Sequence, residues 1–298
     1  MVDAMGNPAE TKKQIYAQAF CIYALSEYYR ITGDQDALEW AKQIFRLIEE
    51  KSYDPAFPGY FEAFDRAWIL LEDVRLSEKD ENERKTMNTH LHLLEAYTDL
   101  SRIWKSKDLK HQLERLVEIF LDRIIDPETG HFHLFFDDRW NIRSKAFSYG
   151  HDVEGSWLLF EAGEILGCRG LSEKIEKSSL RLAEVTLKEG VDADGGLMSE
   201  GDGYRVIDKD KHWWSQAEAM VGFLNAYQIT EDKKFYEASY RCWDFVKTYM
   251  VDKEKGEWFF KTDKNGRPYY SEENKVGPWK GPYHNTRACL EIRRRLKR

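Results

Sequence analysis

Long hydrophobic runs are missing from this sequence of 298 residues, and no stretch approaches the roughly 18 apolar residues that a membrane span requires. Blocks of basic residues are missing too, and the formal net charge is -8. That balance sets nucleic acid aside, because its binding depends on neutralising phosphates, and leaves small neutral partners. Cysteine is scarce: Cys21, Cys168, Cys242 and Cys289 stand far apart with no CxxC or metal-binding spacing, so they read as reduced thiols. The opening MVDAMGNPAETKKQ has no signal-peptide core, which makes a cytoplasmic protein the expectation. Neither a Pro/Gly-rich linker nor a low-complexity run divides the chain, so one domain over residues 1–298 is expected from its 42% hydrophobic content. Aromatic residues, by contrast, are plentiful at 14%, with ten Trp. Most of these rings are expected to pack between helices, and any that line a cavity would suit stacking on sugars.

The apolar residues follow helical spacing in long segments, and each pair of segments ends in a short aromatic-rich piece. The spacing predicts helices over 13–31 and 37–50, followed by the strand-like GYFEAFD (59–65). It predicts 88–104 and 109–125 before HFHLFF, 151–166 and 171–188 before GGLMSE, and 213–229 and 233–250 before EWFFK. A ninth helix opens at His284. Comparable points on successive first helices, taken as His92, His151, Trp214 and His284, lie 59, 63 and 70 residues apart. A hairpin of helices cannot bury its own apolar face, so such repeats must stack. An all-α toroid, the α/α barrel, places every first helix inside and every second helix outside.

If the inner helices of a barrel run the same way, their N-terminal ends line one cavity. The repeats supply candidates in order: Tyr16 and Gln18; Asn88, His92 and Glu95 on one face; His151 and Glu154 one turn apart; Trp213, Trp214 and Glu218; and His284 with Arg287. A lone helical His is commonly a satisfied structural residue, but three at comparable points of a repeat point to a shared site. His90 and His92, two positions apart, point about 200° away from each other, so only one of them can face the cavity. His131 and His133 could share a strand face, yet no third ligand stands near them, so no metal is expected. His111 and His212 read as surface or helix-end residues, and SEKDENERK and RRRLKR as solvated surface. Asp65, Asp80, Glu95, Glu154 and Glu218 raise the paired carboxylates of a glycosidase. They stand beside His or Trp, however, which suits orienting an imidazole or gripping hydroxyls.

The segments GYFEAFDRAW, MNTHLHLLEAYT, SYGHDVEGSWLL, WWSQAEAMVGFLNAY and GPWKGPYHNTRACLE closely resemble the cellobiose 2-epimerase branch of the N-acylglucosamine 2-epimerase superfamily, over nearly the whole chain. The resemblance implies an (α/α)6 barrel and cofactor-free inversion at C2 of the reducing-end sugar of a disaccharide. It implies that His151 and His284 act as the acid/base pair with His92 essential beside them. It also implies that Tyr16, Asn88, Glu154, Trp214 and Trp279 line the sugar site, with Asp80 close by. Nine helices are expected here against twelve in that barrel. Roughly a hundred residues, three helices at half a repeat each, are therefore unmatched, among them a substrate-contacting arginine. An open sector of this kind would expose apolar flanks and allow self-association. N-acylglucosamine epimerisation, aldose-ketose isomerisation on the same barrel, and an inactive sugar-binding remnant stay open beside the leading reading.

Overall fold

Four of the inner helices begin where a two-residue strand runs straight into them, and these junctions set the phase of the fold. The computed structural model describes residues 2–78, 80–203, 205–269 and 273–297. In order these are β1 (Lys13–Gln14), α1 (Ile15–Thr32), α2 (Gln35–Lys51), β2 (Ala63–Phe64), β3 (Lys85–Thr86), α3 (Met87–Ile103) and α4 (Lys107–Ile119). There follow β4 (Phe135–Phe136), β5 (Phe147–Ser148), α5 (Tyr149–Leu166), α6 (Arg169–Glu189), β6 (Glu200–Gly201) and β7 (Val206–Asp208). β8 (Lys211–His212), α7 (Trp213–Thr230), α8 (Lys233–Phe245), β9 (Lys261–Thr262) and α9 (Tyr283–Arg295) complete the order. α4 and α8 each run on into a five-residue π-helical turn, Phe120–Ile124 and Val246–Met250. Both turns fall inside segments that periodicity alone reads as continuous helix.

The strand before each inner helix pairs with the strand after its own outer helix: β1 with β2, β3 with β4, β5 with β6 and β8 with β9, all antiparallel. The first helical amide is tied in the same way, Ile15 to Glu62 O, Met87 to Leu134 O, Tyr149 to Ser199 O and Trp213 to Phe260 O. These bonds satisfy donors that a helix start leaves open. A second set of bonds joins each hairpin to the next. At the fourth residue of α3, α5 and α7 a polar side chain accepts a backbone N–H from the loop of the repeat before it. His90 Nε2 takes that of Tyr60 at 3.0 Å, Asp152 Oδ1 that of Phe132 at 2.8 Å and Gln216 Oε1 that of Leu197 at 2.7 Å.

The chain divides into two units. One comprises Met1–Ile124, His133–Ser144 and Glu161–Ser172; there α1 packs on α2 and α3, and α3 on α4. α3 buries nearly every residue from Met87 to Ser101, polar ones included, as an inner helix should. α2 and α4 bury single faces, Ala37, Leu38, Ala41, Phe45 and Ile48 on the first and Leu109, Leu113, Leu116 and Val117 on the second. α1 is apolar on several sides yet leaves Tyr28 and Ile31 exposed.

The other unit comprises Ile125–Phe132, Lys145–Phe160 and Glu173–Arg298; in it α7 packs on α8 and α9. The start of α5 meets α7 through two glycines. A Cβ on Gly150 would stand 2.5 Å from the Trp214 ring, and one on Gly222 would stand 2.6 Å from the Val153 side chain and carbonyl. Gly150→Ala is therefore expected to cost about 1–3 kcal/mol by forcing Trp214 aside. Chemical denaturation checks this, and parental stability would show that the indole moves freely. Among the described residues no helix is long and apolar enough to cross a membrane.

Lysines are among the most deeply buried side chains. The ammonium of Lys85 meets Asp54 at 2.8 Å and two carbonyls, and that of Lys211 meets Asp192 at 3.0 Å and Asp194 at 2.6 Å. Lys280 meets Glu257 at 2.9 Å and the carbonyl of Lys275 at 2.7 Å. Each closes a loop ahead of an inner helix, and a buried ammonium is tolerated because its donors are taken up.

Candidate active site

His151, Trp214 and His284 stand at the starts of α5, α7 and α9, the first two at the strand-to-helix junctions just described. The His151 ring lies 4.7 Å from the Trp214 ring and the His284 ring 5.6 Å from it, both tilted. Two imidazoles therefore pack against one indole. α9 has no side-chain cap at Pro282. Instead Glu257 holds its first turn from outside, accepting Asn285 Nδ2 at 2.8 Å beside the Lys280 ammonium at 2.9 Å.

Behind His284 lies a buried ionic cluster. Nδ1 of His284 is 2.7 Å from Glu218 Oε1, and Arg287 Nη2 donates to the same oxygen at 2.7 Å and to Glu154 Oε1 at 2.9 Å. Burial alone would push the Glu218 carboxyl up. The Arg287 charge and the His284 hydrogen bond outweigh it and hold the group at about 2. An ionised Glu218 makes Nδ1 of His284 the donor and leaves Nε2 as the reactive nitrogen. Glu154, Glu218 and His284 offer three ligand atoms within 4.8 Å of one another. The Arg287 guanidinium already bridges both carboxylates, so the cation in this cluster is a side chain.

Trp213 lies buried against Phe260, its ring 4.6 Å away, with the Lys280 ammonium over it at 5.6 Å, whereas Trp279 is 54% exposed. Trp157 donates to Glu218 Oε2 at 3.0 Å and carries the Arg287 guanidinium 4.9 Å from its ring. No sequence signal marked Trp157 for this part, because its partners lie 61 and 130 residues away. His131, set aside above for want of a third ligand, is buried between Asp152 at 2.7 Å and Glu189 at 3.3 Å.

In the first unit His92 is buried with Nδ1 3.1 Å from Glu95 Oε2, and its ring meets Tyr16 at 5.0 Å and Phe20 at 4.8 Å. The carboxylate thus stands where an orienting group was expected. Asn88 is half-buried at the second residue of α3, and Asp80 accepts the Ser77 amide at 2.7 Å. His90 is the latch to Tyr60, and its Nδ1 donates to Thr86 O at 2.6 Å. Burial pushes its imidazole down to about 3, so it stays neutral. One equivalence needs correcting. Trp214 and His284 are second residues of their helices and His151 a third, but His92 is the sixth of α3, so Asn88 is the positional counterpart of Trp214. The strand-to-helix junction sets this phase, and a count along the sequence does not reveal it.

The sequence profile of the N-acylglucosamine 2-epimerase (GlcNAc 2-epimerase) family matches residues 1–288. The chain belongs to this family. A cellobiose 2-epimerase of Bacteroides fragilis is 46% identical over 290 residues, which are 96% of this chain and 73% of the relative. Another, of Dictyoglomus turgidum, is 41% identical over 99% of this chain and 75% of its own length. Among solved structures, the cellobiose 2-epimerase of Bacillus thermoamylovorans superposes with a TM-score of 0.93 at 42% identity, over 99% of this chain and 75% of that one. A D-mannose isomerase structure, 22% identical, shares the fold with a TM-score of 0.84. The family is one of isomerases. The fold is all-α and in line with an α/α barrel, with nine α-helices among the described residues.

Proposed function

We propose that this protein epimerises C2 of the reducing-end sugar of a β-1,4-linked disaccharide such as cellobiose, without a cofactor, through an enediolate. The observation that carries the reading is the pair of imidazoles, His151 and His284, that both pack against the Trp214 ring. The high identity to relatives named cellobiose 2-epimerase supports the substrate class. Once the ring has opened to the aldehyde, the C2 proton is acidic, and one neutral imidazole removes it. The electron pair moves onto the carbonyl oxygen. The second histidine, as an imidazolium, returns a proton to the opposite face of C2, and the aldehyde re-forms. Glu218 fixes the tautomer of His284, and Arg287 holds Glu218 in place. In this reading Trp214 and Trp279 stack on sugar, Glu154 and Asn88 grip hydroxyls, Tyr16 and Asp80 line the substrate's surroundings, and His92, held by Glu95, is a third group of the same reaction. For self-association the reading offers α1, whose Tyr28 and Ile31 are exposed.

Incubation with cellobiose in D2O followed by NMR tests the proposal. The expected product is glucosyl-mannose carrying deuterium at C2. A ketose would replace the reading with an aldose-ketose isomerase, and no exchange at all would leave a sugar-binding protein.

A further inference from the structure

We infer that the buried pair His131 and Asp152 is a positioning device for the reaction, which sets where the imidazole of the adjacent His151 stands. The inference rests on the reading of His151 as a proton-transfer group. Asp152 is fully buried, and both its oxygens are engaged from the loop of the preceding repeat: Oδ2 with His131 Nδ1 at 2.7 Å, Oδ1 by the Phe132 amide at 2.8 Å. His131 is itself fixed on two further sides. Its ring stacks on Phe147 at 3.7 Å with planes 5° apart, and its Nε2 lies 3.3 Å from Glu189 Oε2. Phe147 belongs to β5, which runs into α5 and pairs with Gly201, where a Cβ would stand 2.5 Å from the Phe147 ring. The residue after His151 is thus clamped to one loop and, through His131, to the end of α6 and one strand.

The comparison among repeats gives this clamp its meaning. The equivalent latches on α3 and α7 are neutral, a histidine held uncharged by burial and the amide of Gln216. On α5 the latch is a carboxylate paired with an imidazole, and the Asp152 and Glu189 partners hold His131 above the usual imidazole range despite its burial. A buried ion pair is a poor device for stability, since apolar or neutral replacements do as well. Its hydrogen bonds are, however, short and directional. The one charged latch among these three therefore falls on the helix whose first turn presents His151, where a misplacement of about 1 Å can cost a hundredfold in rate.

The test is steady-state kinetics of the full chain on cellobiose for Asp152→Asn, His131→Leu, His131→Asn and Glu189→Gln, with His151→Asn as reference and folded fraction measured for each. Asp152→Asn and His131→Leu are expected to lower kcat by about ten- to a hundredfold, the usual loss for a supporting partner, with KM within about twofold. His131→Asn, whose amide can donate where Nδ1–H does, is expected to restore most of kcat. Glu189→Gln lies at a partly exposed carboxylate and probes the device should the buried variants not fold; a drop of about threefold in kcat at constant KM is expected there. Parental kcat in every variant that folds, or equal changes in kcat and KM without rescue by His131→Asn, overturns the inference. Parental activity in His151→Asn would instead sink the reading beneath it, whereas an inactive His151→Asn beside fully active latch variants sinks the latch alone.

Discussion

Asn in place of His151 or His284 is expected to abolish epimer formation while leaving the fold nearly intact. A positioned acid or base contributes typically about 10²- to 10⁴-fold, or roughly 3 to 5 kcal/mol of barrier. Asn keeps much of the imidazole's shape but takes up no proton near neutrality. At position 284 its amide can still donate to Glu218 Oε1, so the contacts of Arg287 with Glu154 and Glu218 survive. At position 151 the contact with Trp214 is reduced but the start of α5 remains tied through Tyr149 and Asp152. The two variants are expected to differ in one respect. With one imidazole left, each can still exchange the C2 proton on one face, so deuterium should wash into glucose-type substrate in one variant and mannose-type in the other. Ring opening can share these residues, so the open-chain fraction is followed in the same NMR spectra. Epimerisation within about tenfold of the parent, less than the usual acid/base contribution, would remove the residue from its role and move attention to His92.

Much of this site is legible in the sequence, and the gaps have physical causes. Helix α7 is expected over 213–229 and found at Trp213–Thr230, and α5 is expected from His151 and found from Tyr149. A helix covered on all sides shows as a long apolar run between breakers, which a sequence displays directly. The strand-like GYFEAFD contributes only Ala63–Phe64 to a strand, because Asp65 turns the chain by accepting the amides of Ala67 and Ile69. Arg287 could be placed on the His284 face from spacing alone. Its partners could not, since Glu154 and Glu218 lie 133 and 69 residues away. The buried lysines were invisible for another reason. Lys is almost never fully buried unless paired, so a sequence reading assigns it to the surface, and only the fold brings Asp54 to Lys85 or Glu257 to Lys280.

Loss of the Arg287 charge, as in Arg287→Met, is expected to cost about 3–5 kcal/mol, the range seen when one partner of a buried ion pair is removed. Two carboxylates, each only 1% exposed, would be left facing each other without their cation. The deficit should depend on pH in a defined direction. In the parent, Glu218 sits at about 2 against an ordinary 4.5, so its contribution is present above pH 4.5 and is lost as pH falls through about 2. That shift corresponds to on the order of 3 kcal/mol. Without Arg287 the effect of burial prevails, and the carboxyls take up protons at higher pH. The variant's deficit relative to the parent is therefore largest near neutrality and shrinks towards about pH 4. Urea unfolding of both proteins across that range measures it. A deficit that stays constant with pH would show that Arg287 acts through packing on Trp157 and Tyr283 instead of through charge. Adding Glu154→Gln and Glu218→Gln to Arg287→Met separates the two in a second way, since removing the orphaned charges should restore most of the stability if charge is the cause.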